Sequence, residues 1–180
     1  MTDAADRLYE RVLLLRCQAR DEAAFEEIVV RYTPRLRYYL RKMLGGVQAV
    51  EDVLQEVWLD AFRGITRLIE PGAFPAWIYR LARDRAFREL RRRRSHLPLE
   101  DFHFIDEAGD VGEFSAEDAE HIHGALDTLM PEHREVLVLR FIEGMTYEEI
   151  AGIVGCHLGT VRSRLHYAKR ALRRVIEGTG

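Results

Sequence analysis

The chain has 180 residues, of which 47% are hydrophobic and 32% are charged, a composition typical of folded globular proteins and unlike that of disordered or fibrous ones. No stretch approaches the roughly 18 consecutive apolar residues that a membrane span needs, and the N-terminus lacks the layout of a signal peptide. We therefore expect a cytoplasmic protein without membrane insertion. Cys17 and Cys156 are too far apart for a Cys-x-x-Cys site, and we expect both to be small buried side chains.

The net charge of −3 conceals three segments of different sign. Residues 1–94 carry 19 Arg or Lys and 14 Asp or Glu, a net of +5. Residues 95–120 carry nine acids and no Arg or Lys, and residues 121–180 carry eight bases and seven acids. This distribution indicates two modules with local basic faces, joined by an acidic strap.

Helical spacing of apolar residues begins near the N-terminus. Leu8, Val12 and Leu15 are the apolar positions of a leading segment. A one-sided apolar stripe then predicts a helix over residues 25–43, ending at Gly45-Gly46. Pro34 lies within this helix and is expected to bend or break it, because proline removes an amide donor and crowds the preceding turn.

Two more helices complete the first module. The third has an apolar stripe that runs from Val50 through Trp58 to Phe62. The fourth starts near Pro75, a residue favoured in a first helical turn, and continues into four arginines at 91–94. Residues 1–94 are therefore predicted to form an all-helical domain.

Residues 95–120 show no sustained periodicity, and their charge predicts an extended linker. Its apolar side chains are too many for a free spacer, so we expect them to dock on one of the modules; they are Leu97, Leu99, Phe102, Phe104 and Ile105. The overall prediction is an all-α fold in which two small helical domains, residues 1–94 and 121–180, flank this acidic linker.

The second module has clear helix boundaries. Pro131 begins a helix that Gly144 ends, and Thr146 with Glu149 forms a predicted capping box for a short helix. A tight turn at Gly155 leads to a last helix over about residues 159–177. A short helix, a glycine turn and an Arg-rich second helix are typical of the helix-turn-helix, whose second helix lies in the DNA major groove.

The last helix contains no acid between residues 157 and 176. Side chains near the N-terminal end of such a helix contact base edges, and later ones contact phosphates. The predicted base contacts are Arg162, Ser163, His166 and Tyr167. The predicted phosphate contacts are Arg164, Lys169, Arg170 and Arg173. The alternative, a merely solvated basic face, is disfavoured by the capped helix, the glycine turn and the lack of acids together.

The fourth helix interleaves aromatic and Arg side chains, a combination that suits single-stranded nucleic acid, where bases stack on rings. Aromatic residues at helical spacing are also common in cores, and we expect Phe74 or Trp77 to be packed inside. The third helix carries an acidic, amide-bearing face around Asp52, Gln55 and Glu56, beside Trp58. That face fits a protein partner, although a solvated acidic face explains it equally well.

No enzymatic site is indicated, and no cofactor is expected. His121, His123 and His133 lack acids in helical register with them, so the sequence predicts no metal site. Two kinds of regulatory protein are compatible with these surfaces. A stand-alone helix-turn-helix regulator would bind duplex DNA tightly by itself, whereas a protein that only binds an inhibitor would neither bind DNA tightly nor direct transcription.

Four blocks of the sequence, in their order and spacing, resemble the extracytoplasmic-function (group IV) sigma factors of bacterial RNA polymerase. They are residues 51–58 (EDVLQEVW), 74–83 (FPAWIYRLAR), 129–151 (from LMPEHREVL to TYEEIA) and 159–165 (GTVRSRL). The resemblance covers about residues 20–94 and 121–176.

The resemblance implies a role for each surface. The acidic face (Asp52, Gln55, Glu56, Trp58) would dock on the clamp helices of core RNA polymerase, and the acidic strap would thread the polymerase cleft toward the RNA exit path. The helix-turn-helix, with Thr160 added to the residues above, would read the −35 element of promoter DNA as duplex. The loop and helix over residues 69–88 would capture flipped bases of the −10 element, with contacts from Phe74, Trp77, Tyr79, Arg80, Arg83, Asp84 and Arg88. An anti-sigma factor is a further implied partner.

Asp84 departs from the pattern of many relatives, which carry Asn at a position that helps to form the pocket for an extruded base. An ionised Asp only accepts hydrogen bonds, so a base with an amino donor is the expected preference. The flanking Arg83 and Arg85 are expected to hold this carboxylate ionised.

Overall fold

A computed structural model describes residues 3–45, 47–94 and 119–178. Within these ranges the regular secondary structure is helical throughout, as predicted. No helix there is both long and apolar enough to cross a membrane. The chain divides into two compact units, Met1–Glu89 and Leu90–Gly180, and the division falls in the last turns of a helix. Residues 95–118 of the acidic strap (95–120), and with them the expected docking of its apolar side chains, lie outside the described residues.

The first unit consists of α1 (Asp3–Gln18), α2 (Glu22–Leu44), α3 (Val47–Gly64) and α4 (Phe74–Arg94), with 3₁₀ turns at Ile65–Arg67 and Pro71–Ala73 between α3 and α4. Asp21 caps α2, because its Oδ1 accepts the Ala24 amide at 3.1 Å. Gly45 ends α2 in the left-handed conformation with φ 75°, which glycine adopts without a steric penalty. The predicted end of this helix is therefore confirmed.

Pro34 does not break α2, which was one of the two effects predicted for it. The helix is continuous from Glu22 to Leu44 with Pro34 inside it. Proline leaves the carbonyl of Val30, four residues earlier, without its helical donor. Both residues are exposed, Val30 at 74%, so water can solvate that carbonyl and the helix persists.

Aromatic pairs join α2 to α4 in the core of the first unit. Tyr32 and Phe74 meet edge to face at 5.1 Å between ring centroids, and Tyr39 meets Tyr79 at 5.4 Å. All four rings are at most 2% exposed. Each such pair stabilises the fold by about 0.5–1.5 kcal/mol, in addition to the effect of burying the apolar area. The burial expected for Phe74 or Trp77 is thus confirmed in Phe74.

Helix α1 packs on α2 through a face that the sequence pattern did not indicate. Leu13, Leu14 and Cys17 are buried, whereas Leu8 and Val12 are exposed. Burial raises the pKa of the Cys17 thiol to about 11, which makes it a poor nucleophile at neutral pH. Polar bonds flank this contact: the Arg31 guanidinium bonds to Asp6 at 2.6 Å and to Glu10 at 3.1 Å, and the Tyr32 hydroxyl donates to Glu10 at 2.7 Å.

The second unit consists of α5 (Ala119–Thr128), α6 (Pro131–Leu137), a π-helical turn (Val138–Ile142), α7 (Tyr147–Val154) and α8 (Leu158–Glu177). The predicted capping box of α7 is confirmed: Thr146 Oγ1 accepts the Glu149 amide at 3.2 Å, and Glu149 accepts the Thr146 amide at 2.8 Å. Gly155 ends α7 with φ 69°. Cys156 is only half-buried, so the prediction that both cysteines are buried is wrong for this one.

Arg134 ties α6 to the end of α5. Its guanidinium donates to three backbone carbonyls, those of Leu126, Asp127 and Leu129, each at 2.8 Å. The last carbonyls of a helix have no partner within it, and here a single planar cation supplies the donors. Burial lowers the pKa of Arg134, against the opposing effect of Asp127, but the ordinary value is so high that the group stays charged.

Acidification is expected to destabilise the second unit. His133 on α6 is half-buried, and burial lowers the pKa of its imidazole; Glu132 opposes this shift and Arg164 adds to it. Because the folded-state pKa lies below the unfolded value of about 6.5, the stability contributed by neutral His133 is present above that pH and is lost as the pH falls.

We expect the thermal midpoint to fall between about pH 7.5 and pH 5.5, and His133→Gln to reduce that fall. The measurement is far-UV circular dichroism, with the exposed His157→Gln as the matched control. An equal pH dependence in the wild type and His133→Gln would contradict the assignment.

Candidate nucleic-acid and partner interfaces

The helix-turn-helix in the second unit is formed by α7, the turn at Gly155 and α8. Val161, Leu165, Ala168 and Leu172 are the buried residues of α8, and α8 packs on α5, α6 and α7. This burial directs the opposite side of the helix outward. Arg162 and Ser163, in the first two turns, are exposed, which is the position that base contacts require.

The other predicted contacts of α8 divide into an outward group and an edge group. Thr160, His166, Tyr167, Arg170 and Arg173 are half-buried on the outward half of the helix. Arg164 and Lys169 lie at the two edges. The positive charge of Arg164 contributes to the lowered pKa of His133. The Lys169 ammonium lies 5.2 Å from the Phe141 ring centroid.

Two of these side chains have their polar atoms already engaged or enclosed. The Ser163 hydroxyl donates to the carbonyls of Gly159 and Thr160 at 3.2 and 3.1 Å. The His166 ring packs edge to face on Tyr167, and its buried Nε2 has no hydrogen-bond partner within the described part of the chain. Only the other ring nitrogen of His166 is therefore available for a base contact, which narrows the role predicted for it.

Arg174 is a basic residue of this surface that the predicted contact set omits. It is exposed on the same side as Ser163 and Arg170, in the last turn of α8. The one-sided burial of α8 is the signal that places it there. The outward surface of α8 is therefore basic from Arg162 in its second turn to Arg174 in its last, which also contains Glu177.

The outward face of α4 is the second candidate surface. Arg80, Asp84 and Arg88 are exposed and share one side of the helix, and Trp77 is half-buried beside them. The Trp77 ring packs on Gly64: a Cβ built on Gly64 would lie 3.0 Å from it. Trp77 is therefore held at the α3 boundary with part of its ring exposed.

Two of the predicted aromatic contacts are wrong. Phe74 and Tyr79 are 0% exposed, because their positions on α4 face α2, where they pair with Tyr32 and Tyr39. Buried rings cannot stack on bases. The outward face instead offers Phe87, which the sequence pattern did not single out; it is half-buried with the Arg83 guanidinium 4.3 Å from its centroid.

The loop before α4 is anchored to α1. The Gln18 amide donates to the carbonyls of Ile65 and Leu68, and Arg11 bonds to Glu70 at 3.1 Å. Glu70 also accepts the Gly72 amide at 3.2 Å. Between these anchors Ile69 is 98% exposed, so the loop presents an apolar side chain to solvent at the start of α4.

The sequence suggested that Arg85 lies against Asp84, but its side chain bonds elsewhere. Its guanidinium bonds to Asp60 at 2.7 Å and to Glu56 at 2.6 Å. These bonds join α4 to α3, and the hydrogen bond to Asp60 is the main reason that the pKa of Arg85 is raised. The helical periodicity explains the difference: Arg85 points toward α3, whereas Asp84, one residue earlier, points outward.

The residues of the acidic face that the sequence assigned to a protein partner lie on α3 with different exposures. Asp52 and Gln55 are exposed, and Glu56 is exposed but bonded to Arg85. Trp58 is half-buried: its indole donates to Thr33 Oγ1 at 3.1 Å, and its ring packs on Phe25. Trp58 therefore contributes to the α2–α3 contact.

Two apolar side chains on α3 extend this face. Leu59 is 49% exposed and Phe62 is 41% exposed, on the side that carries Gln55. The sequence pattern assigned Phe62 to the buried stripe. The structure places its ring against Phe25 at 5.2 Å and under the Arg20 guanidinium at 5.5 Å. The α3 face is thus mixed, with acidic, amide and apolar groups, which is typical of a protein contact.

Both units match known protein families. Residues 28–96 match the model of sigma-70 region 2, and residues 119–172 match that of sigma-70 region 4. The chain is 30% identical to the ECF RNA polymerase sigma-E factor of Escherichia coli, over 93% of this chain and 94% of that protein. It is 32% identical to the ECF RNA polymerase sigma factor SigE of Mycolicibacterium smegmatis, over 85% of this chain and 63% of that protein.

Solved structures share the fold. CnrH, in complex with the cytosolic domain of CnrY, aligns with a TM-score of 0.70 and 22% identity, over 95% of this chain and 99% of that one. The sigma factor RpoE of Bartonella quintana, in complex with the anti-sigma factor NepR, aligns with a TM-score of 0.68 and 24% identity, over 85% and 96%.

Two helical units, the second with a basic helix-turn-helix, define a DNA-binding transcription protein. The sequence matches are more specific, and the chain belongs to the extracytoplasmic-function sigma factors of RNA polymerase. It is a transcription initiation factor and not an enzyme. The resemblance stated from the four sequence blocks is confirmed.

Proposed function

We propose that this sigma factor directs RNA polymerase to promoters by reading the −35 element as duplex with α8 and by capturing unpaired bases of the −10 element with α4. The observation that carries the proposal is the outward surface of α8, which is basic from Arg162 to Arg174 and follows a short capped helix. This arrangement places side chains at base edges and cations along the phosphates.

The hydrogen bonds of Ser163 within α8 limit the kind of base that it can contact in the −35 element. Because its hydroxyl proton is used within α8, its oxygen is left to accept a hydrogen bond. In the major groove the amino donors are N4 of cytosine and N6 of adenine. We therefore assign Ser163 to a base pair that presents an amino group, and Arg162, with its forked donors, to a guanine.

The −10 contact uses the outward face of α4. Trp77 offers part of its ring for stacking, while Arg80 and Arg88 are positioned to follow the phosphates of a single strand. Exposed Asp84 would accept a hydrogen bond from the amino group of an extruded base. Ile69, at the tip of the anchored loop, supplies an apolar contact beside that base.

The remaining surfaces serve protein partners. The α3 face around Asp52 and Gln55 would dock on the clamp helices of core polymerase, and the acidic residues 95–120 would thread the polymerase cleft. An anti-sigma factor is a further proposed partner, as the RpoE relative was solved with one. These activities require the cytoplasm, where the polymerase acts.

The decisive experiment is transcription with core polymerase and a promoter pool randomised at both elements. We expect initiation only when the full chain is added, with enrichment of one −35 and one −10 sequence. Asp84→Asn should change the enriched −10 base and leave the −35 sequence unchanged. If no promoter in the pool directs initiation, the proposal fails; tight binding of the free protein to duplex DNA without initiation would indicate a stand-alone regulator.

A further inference from the structure

Helix α1 is apolar on the side that faces away from its unit. Leu8 is 65% exposed, Val12 46% and Leu15 54%. Their spacing of four and then three residues places them on one face, opposite the face that buries Leu13 and Cys17. Single exposed aliphatic residues are ordinary, but a stripe over two turns of an already packed helix is typical of a contact surface.

Small and basic residues border this stripe. Ala4 and Ala5 are exposed and extend the apolar face along α1, and exposed Ala19 follows directly after the helix. Arg7 and Arg11 follow one edge of it, and Arg16 follows the other. The described residues of this outward face include no Asp or Glu.

Arg11 and Arg16 bond to acids through exposed ion pairs. Arg11 bonds to Glu70 at 3.1 Å with both side chains about 60% exposed, at 58% and 61%. Arg16 bonds to Asp21 at 2.8 Å, with 48% and 33% exposure. Exposed ion pairs contribute little to stability, and a guanidinium in such a pair retains further hydrogen-bond donors. A partner's carboxylates can therefore join or replace these bonds.

We propose that this α1 face binds an amphipathic helix of a partner protein, with aliphatic residues along its centre and Asp or Glu along its edges. The alanines allow the partner backbone to approach, so that Leu8, Val12 and Leu15 fill its grooves. The acidic edges meet Arg7, Arg11 and Arg16. The α1 face shares no residue with the α3 and α4 faces above, so this inference is independent of the proposed function.

Other occupants fit the face less well. A second copy of the chain would bring the same arginines together, and like charges across an interface oppose association. A membrane surface shares the charge preference, but an interfacial helix carries Lys and Arg on its polar face, whereas the opposite face of α1 carries Asp6 and Glu10, which bond to Arg31. An acidic partner helix satisfies both the charge and the shape of the surface.

The test uses the full chain and two labelled synthetic helical peptides of about three heptads, with Leu at the central positions and either Glu or Lys along both edges. Fluorescence anisotropy should show at least ~10-fold tighter binding of the Glu peptide, since tenfold corresponds to about 1.4 kcal/mol. Leu8→Gln/Leu15→Gln should weaken that binding ~10-fold or more. The matched control is Val30→Gln, a change at another exposed aliphatic residue, and it should not.

Several outcomes would overturn the inference. Equal binding of the two peptides would show that charge does not contribute to the contact. Unchanged peptide binding by Leu8→Gln/Leu15→Gln would show that the apolar stripe does not form it. Dimerisation in sedimentation that the double variant abolishes would assign the face to a second copy. Binding to phosphatidylglycerol vesicles that the double variant abolishes, without Glu-peptide binding, would assign it to a membrane. Tighter binding of a peptide with residues 95–120 would assign it to the chain's own acidic segment.

A separate measurement distinguishes this inference from the proposed function. Leu8→Gln/Leu15→Gln should support promoter-directed initiation with core polymerase at the wild-type level. Initiation by the variant together with lost peptide binding supports the α1 face as a separate partner site. Loss of initiation by the variant would show that the face serves the polymerase or promoter and would overturn the inference, while leaving the proposed function intact.

Discussion

Arg162→Ala is expected to weaken binding of the polymerase-bound protein to its −35 duplex by about 1–3 kcal/mol and to relax specificity at one base pair. The exposed Arg162 lies in the second turn of α8, where a major-groove helix contacts bases. The loss should be large on the preferred base pair and small on the other three, because the contact exists only with the preferred base.

Arg173→Ala is the matched control in the same helix. Arg173 lies in a later turn and forms an ion pair with Glu177 at 3.9 Å. Its loss should weaken binding evenly across −35 sequences and reduce the salt slope by about one unit, the value for one phosphate contact. Affinities across single-base variants and salt concentrations measure both effects. Indistinguishable profiles for the two variants would refute the separation of base and phosphate contacts along α8.

Arg134→Ala should destabilise the second unit by about 2–4 kcal/mol. The variant removes one charged donor from three carbonyls at the end of α5, each bonded at 2.8 Å. A small domain loses several degrees of thermal midpoint for each kcal/mol, so the decrease should be about 10 °C or more. Arg134→Lys should recover only part of the loss, because an ammonium lacks the planar fork of guanidinium.

The positions of the tryptophans make this measurement specific. Both tryptophans, Trp58 and Trp77, lie in the first unit. Tryptophan fluorescence therefore follows unfolding of that unit, while far-UV circular dichroism follows both. Arg134→Ala should lower the midpoint temperature of a transition seen by circular dichroism and leave the midpoint temperature of the fluorescence transition unchanged. A fluorescence midpoint that falls by the same amount would show that the effect is not confined to the second unit.

The sequence predicted helix ends and the helix-turn-helix correctly because local chemistry controls them. Thr146 and Glu149 cap α7 through bonds between neighbours in the chain, and Gly45 and Gly155 end helices by adopting positive φ. Pro34 is an exception, because its cost depends on whether the carbonyl of Val30 is reached by water. That exposure is a property of the packed unit.

Side-chain roles on α4 needed the tertiary structure. An alternation of aromatic and Arg residues does not predict which rings face the core and which face solvent, because Phe74, Trp77 and Tyr79 all lie within two turns. Packing against α2 buries Phe74 and Tyr79, and contact with Gly64 leaves Trp77 partly exposed. Arg85 likewise turns to Asp60, twenty-five residues away, in preference to its neighbour Asp84.

The charge distribution, the apolar periodicity and the capping residues were sufficient to predict an all-helical protein with a helix-turn-helix, because each acts over one or two turns or through composition. The sigma-factor family was indicated separately, by the resemblance of four sequence blocks. Only the tertiary structure decided which residues face solvent. It placed Leu13 and Cys17 of α1 inside and left Leu8 and Val12 outside, although both sets have helical spacing. The physical reason is that periodicity defines the faces of a helix, whereas burial depends on which face a neighbouring helix covers.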